Sequence, residues 1–155
     1  MEQEKFMNLA IELSQKSMDN SGGPFGAVIV RNGEIIASAS NGVTSKNDPT
    51  AHAEVEAIRL ACQKLNTYIL DDCEIYSSCE PCPMCLGAIY WSRIKKLYFA
   101  CDKTDAKNID FDDSFIYDEL KLEPQNRAIP TQQIMQKKAQ KVFENWLKKQ
   151  DKIKY

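Results

Sequence analysis

One histidine and a cysteine pair thirty positions after it limit what this chain can fold into. His52 stands two residues before a glutamate, in His52-Ala53-Glu54, and the cysteines stand in Pro81-Cys82-Pro83-Met84-Cys85. Zinc prefers nitrogen and thiolate donors, and a catalytic zinc site fills three tetrahedral corners from the protein and leaves the fourth to water. His52, Cys82 and Cys85 supply three such donors, which leaves Glu54 free to move protons. Because there is no second histidine, a His-His zinc site is excluded, as is a nucleophile–histidine pair built on any other imidazole. The fold must therefore bring residues 52–54 against residues 82–85.

The length of 155 residues suits one domain, 1–155, with room for a core. Apolar residues at 43% and charged residues at 27% fit a soluble globular protein. No apolar run approaches a membrane span, and Met1-Glu2-Gln3-Glu4 is not a basic segment leading into an apolar one, so a cytoplasmic protein is expected. Without a secretory signal a disulfide framework is the weaker reading of six cysteines, and Cys62, Cys73, Cys79 and Cys101 are expected as core or structural thiols. Charge is uneven. Residues 102–123 carry eight acids against three lysines, and residues 134–155 carry seven lysines against Glu144 and Asp151. A basic C-terminal helix is compatible with RNA, but the acidic stretch beside it repels phosphate, so nucleic acid is not the expected partner.

Phe6, Leu9, Ala10 and Leu13 recur at helical spacing and predict a helix over 3–18, ended by Asn20-Ser21-Gly22-Gly23-Pro24. Residues 25–31 and 34–40 are β-rich runs around Asn32-Gly33, a strong hairpin signal. A polar loop leads to Asp48-Pro49-Thr50, read as a helix start, with the helix itself over about 51–64. Strands follow over 74–78 and 96–100, with a helix over 82–91 between them. Residues 102–130 read as irregular with one short helical stretch near 114–120, and a last helix carries the stripe Ala139, Val142, Phe143, Trp146 and Leu147. This order predicts an α/β fold with three α/β/α layers around a mixed central sheet.

In that fold both ligand groups fall at helix starts, where exposed N–H groups and the positive dipole end lower thiolate pKa values and hydrogen-bond an anionic intermediate. C-x-x-C alone also fits a redox pair or half of a structural zinc site, yet neither accounts for His52-Ala53-Glu54. Phe25, Tyr90 and Trp91 are core aromatics or stacking partners for a planar heterocycle. Asp112-Asp113 is a helix cap or a functional pair.

H-x-E followed by P-C-x-x-C resembles the zinc nucleobase deaminases. The wider stretches Gly22-Gly23-Pro24-Phe25-Gly26-Ala27-Val28, Asn47-Asp48-Pro49-Thr50-Ala51-His52-Ala53-Glu54 and Ser78-Cys79-Glu80-Pro81-Cys82-Pro83-Met84-Cys85 are similar to the cytidine-deaminase-like superfamily, which includes cytosine and tRNA adenosine deaminases. Phe111-Asp112-Asp113-Ser114-Phe115-Ile116-Tyr117, with Tyr90-Trp91 and the terminal Tyr155, resembles its bacterial guanine deaminases.

The resemblance implies hydrolysis of guanine to xanthine and ammonia. It implies one Zn2+ per subunit on His52, Cys82 and Cys85, with Glu54 as proton shuttle and Asp113 assisting it. Asn41, Phe25, Ala53, Trp91 and Tyr155 would contact the purine base. It also implies a homodimer that exchanges its C-terminal segment (residues 134–155), with Tyr155 closing the neighbour's site. Two rivals stay open: deamination of tRNA adenosine or of cytosine, and a zinc-stabilised binding module without catalysis. The 111–117 stretch argues against the first, and the free acid Glu54 against the second.

Overall fold

Strict alternation of inward side chains on two strands builds the centre of the molecule. On β1 (Gly26–Arg31), Ala27 and Ile29 enter one core and Val28 and Val30 enter another, on the opposite face of the sheet. On β3 (Cys73–Cys79), Cys73 and Ile75 join the first core and Tyr76 the second. A strand buried on both faces needs helices on both. The computed structural model, which describes residues 1–155, has them. α1 (Glu2–Asp19) covers one face through Phe6 and Ala10. α3 (Ala53–Leu65) and α4 (Pro83–Trp91) cover the other through Ala53, Ala57, Ala61 and Ile89. Val28, Ile29 and Ile75 are fully buried, each contributing about 1.5–3 kcal/mol relative to exposure.

With β2 (Glu34–Ser40) and β4 (Lys96–Cys101) the strand order is β2-β1-β3-β4. β1 runs antiparallel to β2 and β3, while β3 and β4 are parallel, so the sheet is mixed as expected. The β1–β2 turn has Asn32 at φ 52° and Gly33 at φ 79°, the double positive φ that the Asn-Gly pair accommodates. Gly26 allows the close approach of α1: a Cβ there would lie 2.3 Å from the Ala10 carbonyl oxygen. Tyr76 stacks on Tyr98 at 4.6 Å and 9° and tilts against Phe6 at 5.3 Å.

Two differences from the sequence-based expectation concern local hydrogen bonding. The helix does not start at Asp48-Pro49-Thr50. The Asp48 carboxylate accepts from the Thr50 N–H at 2.8 Å and the Thr50 hydroxyl at 2.7 Å, closing a turn, and α3 begins only after His52. Two short helices, α2 (Val43–Lys46) and α5 (Lys103–Lys107), occupy stretches read as loop. α5 is held by a capping box between Asp102 and Asp105.

The chain divides into two compact units, Met1–Ser114 and Phe115–Tyr155. The first holds the sheet and both cores. The second contains most of α6 (Ser114–Lys121), then a 3-10 turn at Pro124–Asn126 and α7 (Gln136–Lys148), whose last turn is held by Lys152 donating to the carbonyls of Leu147 and Lys149. Val142, Phe143, Trp146 and Leu147 of α7 are all solvent-exposed. No helix is long and apolar enough to cross a membrane.

Candidate metal centre

The two ligand groups occupy equivalent places. His52 is the residue capping α3 and Cys82 the residue capping α4, both with extended backbone (φ −69°, ψ 153° and φ −64°, ψ 168°). Neither side chain caps its own helix, so both are free to face the space between the two helix starts. Pro83 in the first turn of α4 has no N–H to lose there. One turn further, Cys85 is fully buried.

The geometry fits zinc. His52 Nδ1 lies 3.6 Å from Cys82 Sγ and 3.5 Å from Cys85 Sγ, and all three ligand atoms fall within 4.8 Å of one another. Zn–N and Zn–S bonds of ~2.05 and ~2.3 Å at tetrahedral angles separate the donor atoms by about 3.6 Å. The thiols respond to each other. Hydrogen bonding from Cys85, with further donation from His52 and the Cys85 backbone N–H, outweighs burial and brings Cys82 down to about 4. Cys85 is driven far above the ordinary thiol value by its bond to Cys82 and by burial. His52 is raised, first by its hydrogen bond to Cys82. Without a cation the three groups share protons among themselves, and zinc binding would displace those protons.

Glu54, in the first turn of α3, is 6% exposed. Its Oε1 accepts from the Ser77 hydroxyl at 2.9 Å and its Oε2 from the Cys85 thiol at 3.4 Å. Burial raises its pKa against these donors, which makes it a better base near neutrality. It is not one of the three clustered donors and stands beside Cys85.

The remaining expected residues lie on other elements of the chain. Asn41 follows β2. Its N–H donates to the Phe25 carbonyl at 3.0 Å and its Oδ1 accepts from the Val43 N–H at 3.1 Å. The next residue, Gly42, donates to the Ala51 carbonyl at 2.8 Å, which ties this loop to the residue before His52. Ala53 is fully buried at the start of α3. Phe25 is half-buried and meets Phe111, the first residue of the 111–117 stretch, edge-on at 5.0 Å.

Asp112 and Asp113 separate. Asp112 Oδ1 accepts from the Ser114 N–H at 2.9 Å and from its hydroxyl, which ties it to the first residue of α6, and Asp112 pairs with Lys107 at 3.4 Å. Asp113 is half-buried, and its pKa is raised, first by burial and then by the charges of Cys82 and Glu80; its charge in turn raises His52. Trp91 ends α4 with 71% exposure, and Tyr155 in the second unit is 73% exposed. Ser77 had no sequence signal, because a serine within a strand looks like any other polar alternation.

Comparison with known proteins agrees with this geometry. A family model described as the cytidine and deoxycytidylate deaminase zinc-binding region matches residues 1–101. The guanine deaminase of Bacillus subtilis (strain 168) is 50% identical over 156 aligned residues covering all of both chains. The X-ray structure of guanine deaminase from Bacillus subtilis superposes with a TM-score of 0.95, covering 98% of each chain at 50% identity. A tRNA-specific adenosine deaminase of Aquifex aeolicus (strain VF5) is 46% identical over 104 residues, 66% of this chain and 69% of its own. The crystal structure of NE0047 in complex with 2,6-diaminopurine matches with a TM-score of 0.69 at 36% identity, covering 72% of this chain and 62% of that one.

Proposed function

The chain belongs to the cytidine and deoxycytidylate deaminase zinc-binding family, and from that premise we propose that it hydrolyses guanine to xanthine and ammonia. The observation that carries this reading is the reach of the likeness. Similarity to a guanine deaminase holds at 50% identity over all of the chain, whereas a tRNA adenosine deaminase that is 46% identical covers 66% of it and one that covers 92% is 34% identical. The test is ammonia release from guanine, guanosine, cytosine, adenine and a tRNA anticodon stem-loop. Guanine is expected to be turned over far faster than the others. Faster release from the stem-loop or from cytosine overturns the assignment.

His52, Cys82 and Cys85 would hold the zinc. Zinc held there would supply Lewis-acid chemistry that makes water acidic near neutrality. Glu54 takes a proton from the attacking water and delivers it to a purine ring nitrogen, as oxygen adds to the ring carbon that bears the amino group. N–H groups at the start of α4 hydrogen-bond the charge that develops. Glu54, assisted by Asp113, then protonates the departing amine, and guanine plus water becomes xanthine plus ammonia. Asn41, through the donors its Val43 contact leaves free, and Phe25, Ala53 and Trp91 form the purine's surroundings.

Asp113→Asn is expected to lower guanine turnover roughly tenfold or more, the scale of a lost proton-transfer group. Asp112→Asn keeps the side-chain oxygen that accepts from Ser114 and loses only the exposed pairing with Lys107, worth at most about 1 kcal/mol, and should leave turnover nearly intact. Equal behaviour of the two variants in steady-state assays removes Asp113 from the reaction.

The protein acts in the cytoplasm as a homodimer in which residues 134–155 are exchanged and Tyr155 closes the partner's site. The exposed apolar side chains of α7 support this, since such a stripe calls for a cover, and exchanging an element is a low-cost route to a dimer. Sedimentation should find two chains per particle. Deleting residues 151–155 should leave a zinc-loaded dimer with sharply lower guanine turnover; unchanged kinetics would count against the closing role of Tyr155.

A further inference from the structure

The two side-chain contacts to the Glu54 carboxylate differ in kind. The Cys85 contact to Oε2, at 3.4 Å, belongs to a protonated thiol. A cysteine ligating zinc is a thiolate, so in the metal-loaded protein that sulfur has no proton to donate. The Ser77 hydroxyl, 2.9 Å from Oε1, is independent of the metal.

Ser77 is placed for this contact by the sheet. Its backbone sits between two strands, opposite Ala27 on β1 and Phe99 on β4. Strand alternation turns its side chain to the face that carries Ile75 and packs under α3. It is 2% exposed, and an unpartnered hydroxyl in such a place is unfavourable. Its neighbour Ser78 points the other way and accepts the Gly26 N–H at 3.0 Å, a bond that serves the strands. The hydroxyl of Ser77 meets the carboxylate instead.

We propose that Ser77 is a positioning residue for the deamination: its hydroxyl fixes one oxygen of Glu54 and so aims the other at the metal side of the cleft, where water and the purine meet. The terminal torsion of a glutamate is broad, so a carboxylate without this anchor samples orientations from which proton transfer is poor. The contact forms neither the metal site nor the purine's surroundings, so its loss should fall on kcat and leave binding alone. This inference rests on the deaminase reading above.

The experiment compares wild type, Ser77→Ala and Ser77→Thr as full-length, zinc-loaded proteins. Zinc per chain, the dissociation constant of xanthine by calorimetry, and kcat and KM for guanine are measured on each. Ser77→Ala is expected to lower kcat roughly ten- to a hundredfold, with zinc content, KM and xanthine affinity within about twofold of wild type. Ser77→Thr, which keeps the hydroxyl, should recover most of the rate. A Ser77→Ala kcat within about twofold of wild type overturns the proposal. So does a fall in zinc content or xanthine affinity in step with kcat, and so does a folded, zinc-loaded Ser77→Thr as slow as Ser77→Ala. If Ser77→Thr fails to fold, the split between kcat and KM in Ser77→Ala decides. If wild type prefers another base, the guanine reading falls separately and the same ratios are read on that base; no turnover on any base sinks both.

Discussion

Glu54→Gln is expected to yield a folded protein with one zinc per chain that releases ammonia from guanine at least ~100-fold more slowly than wild type. Glu54 is 6% exposed, and burial raises its pKa, so its charge is held there against desolvation. Glutamine has nearly the same shape and carries no charge. Its amide oxygen still accepts the Ser77 hydroxyl, so thermal stability should be unchanged or slightly higher. What disappears is the acceptor of the water proton and the donor to the purine and the leaving amine. Zinc analysis, a melting curve and ammonia release on the same preparation separate these effects. Near-normal turnover in this variant removes Glu54 from the mechanism.

The second large effect concerns His52. It is the only histidine, and its Nδ1 lies 3.5–3.6 Å from both ligand sulfurs, so no other imidazole replaces it. His52→Ala should purify with well under one zinc per chain and lose at least ~100-fold of its turnover. The loss should also be visible without any assay of activity. A ligand that binds only the folded state stabilises it by about 4 kcal/mol at a thousand times its dissociation constant. Zinc should therefore raise the melting temperature of metal-stripped wild type and leave that of His52→Ala where it was. Equal shifts in both proteins would place the metal elsewhere.

The site was legible in the sequence where it depends on local signals. Cys82 follows a strand and precedes Pro83, which marks a helix start. His52 and Glu54, two apart, could not share a helical face, and the structure resolves this by making His52 the capping residue and Glu54 part of the first turn. The hairpin was legible because Asn32-Gly33 permits the positive φ values that few pairs adopt. Asp48-Pro49-Thr50 misled because an aspartate before a proline caps a turn with the same hydrogen bonds with which it would cap a helix. α2 and α5, of four and five residues, are too short to show a period. Ser77 was invisible for a different reason: its partner is 23 residues away in the chain, and only the sheet register and the packing of α3 bring them together.

If a single zinc, held by three side chains beside a free carboxylate, carries the deamination of guanine, turnover must follow the zinc content. Titrating zinc into metal-stripped protein while following ammonia release from guanine tests it most directly. The account predicts no turnover without metal, a linear rise, and a break at one zinc per chain. Full turnover in the stripped protein, or a restored protein with one zinc per chain that leaves guanine untouched, would contradict it.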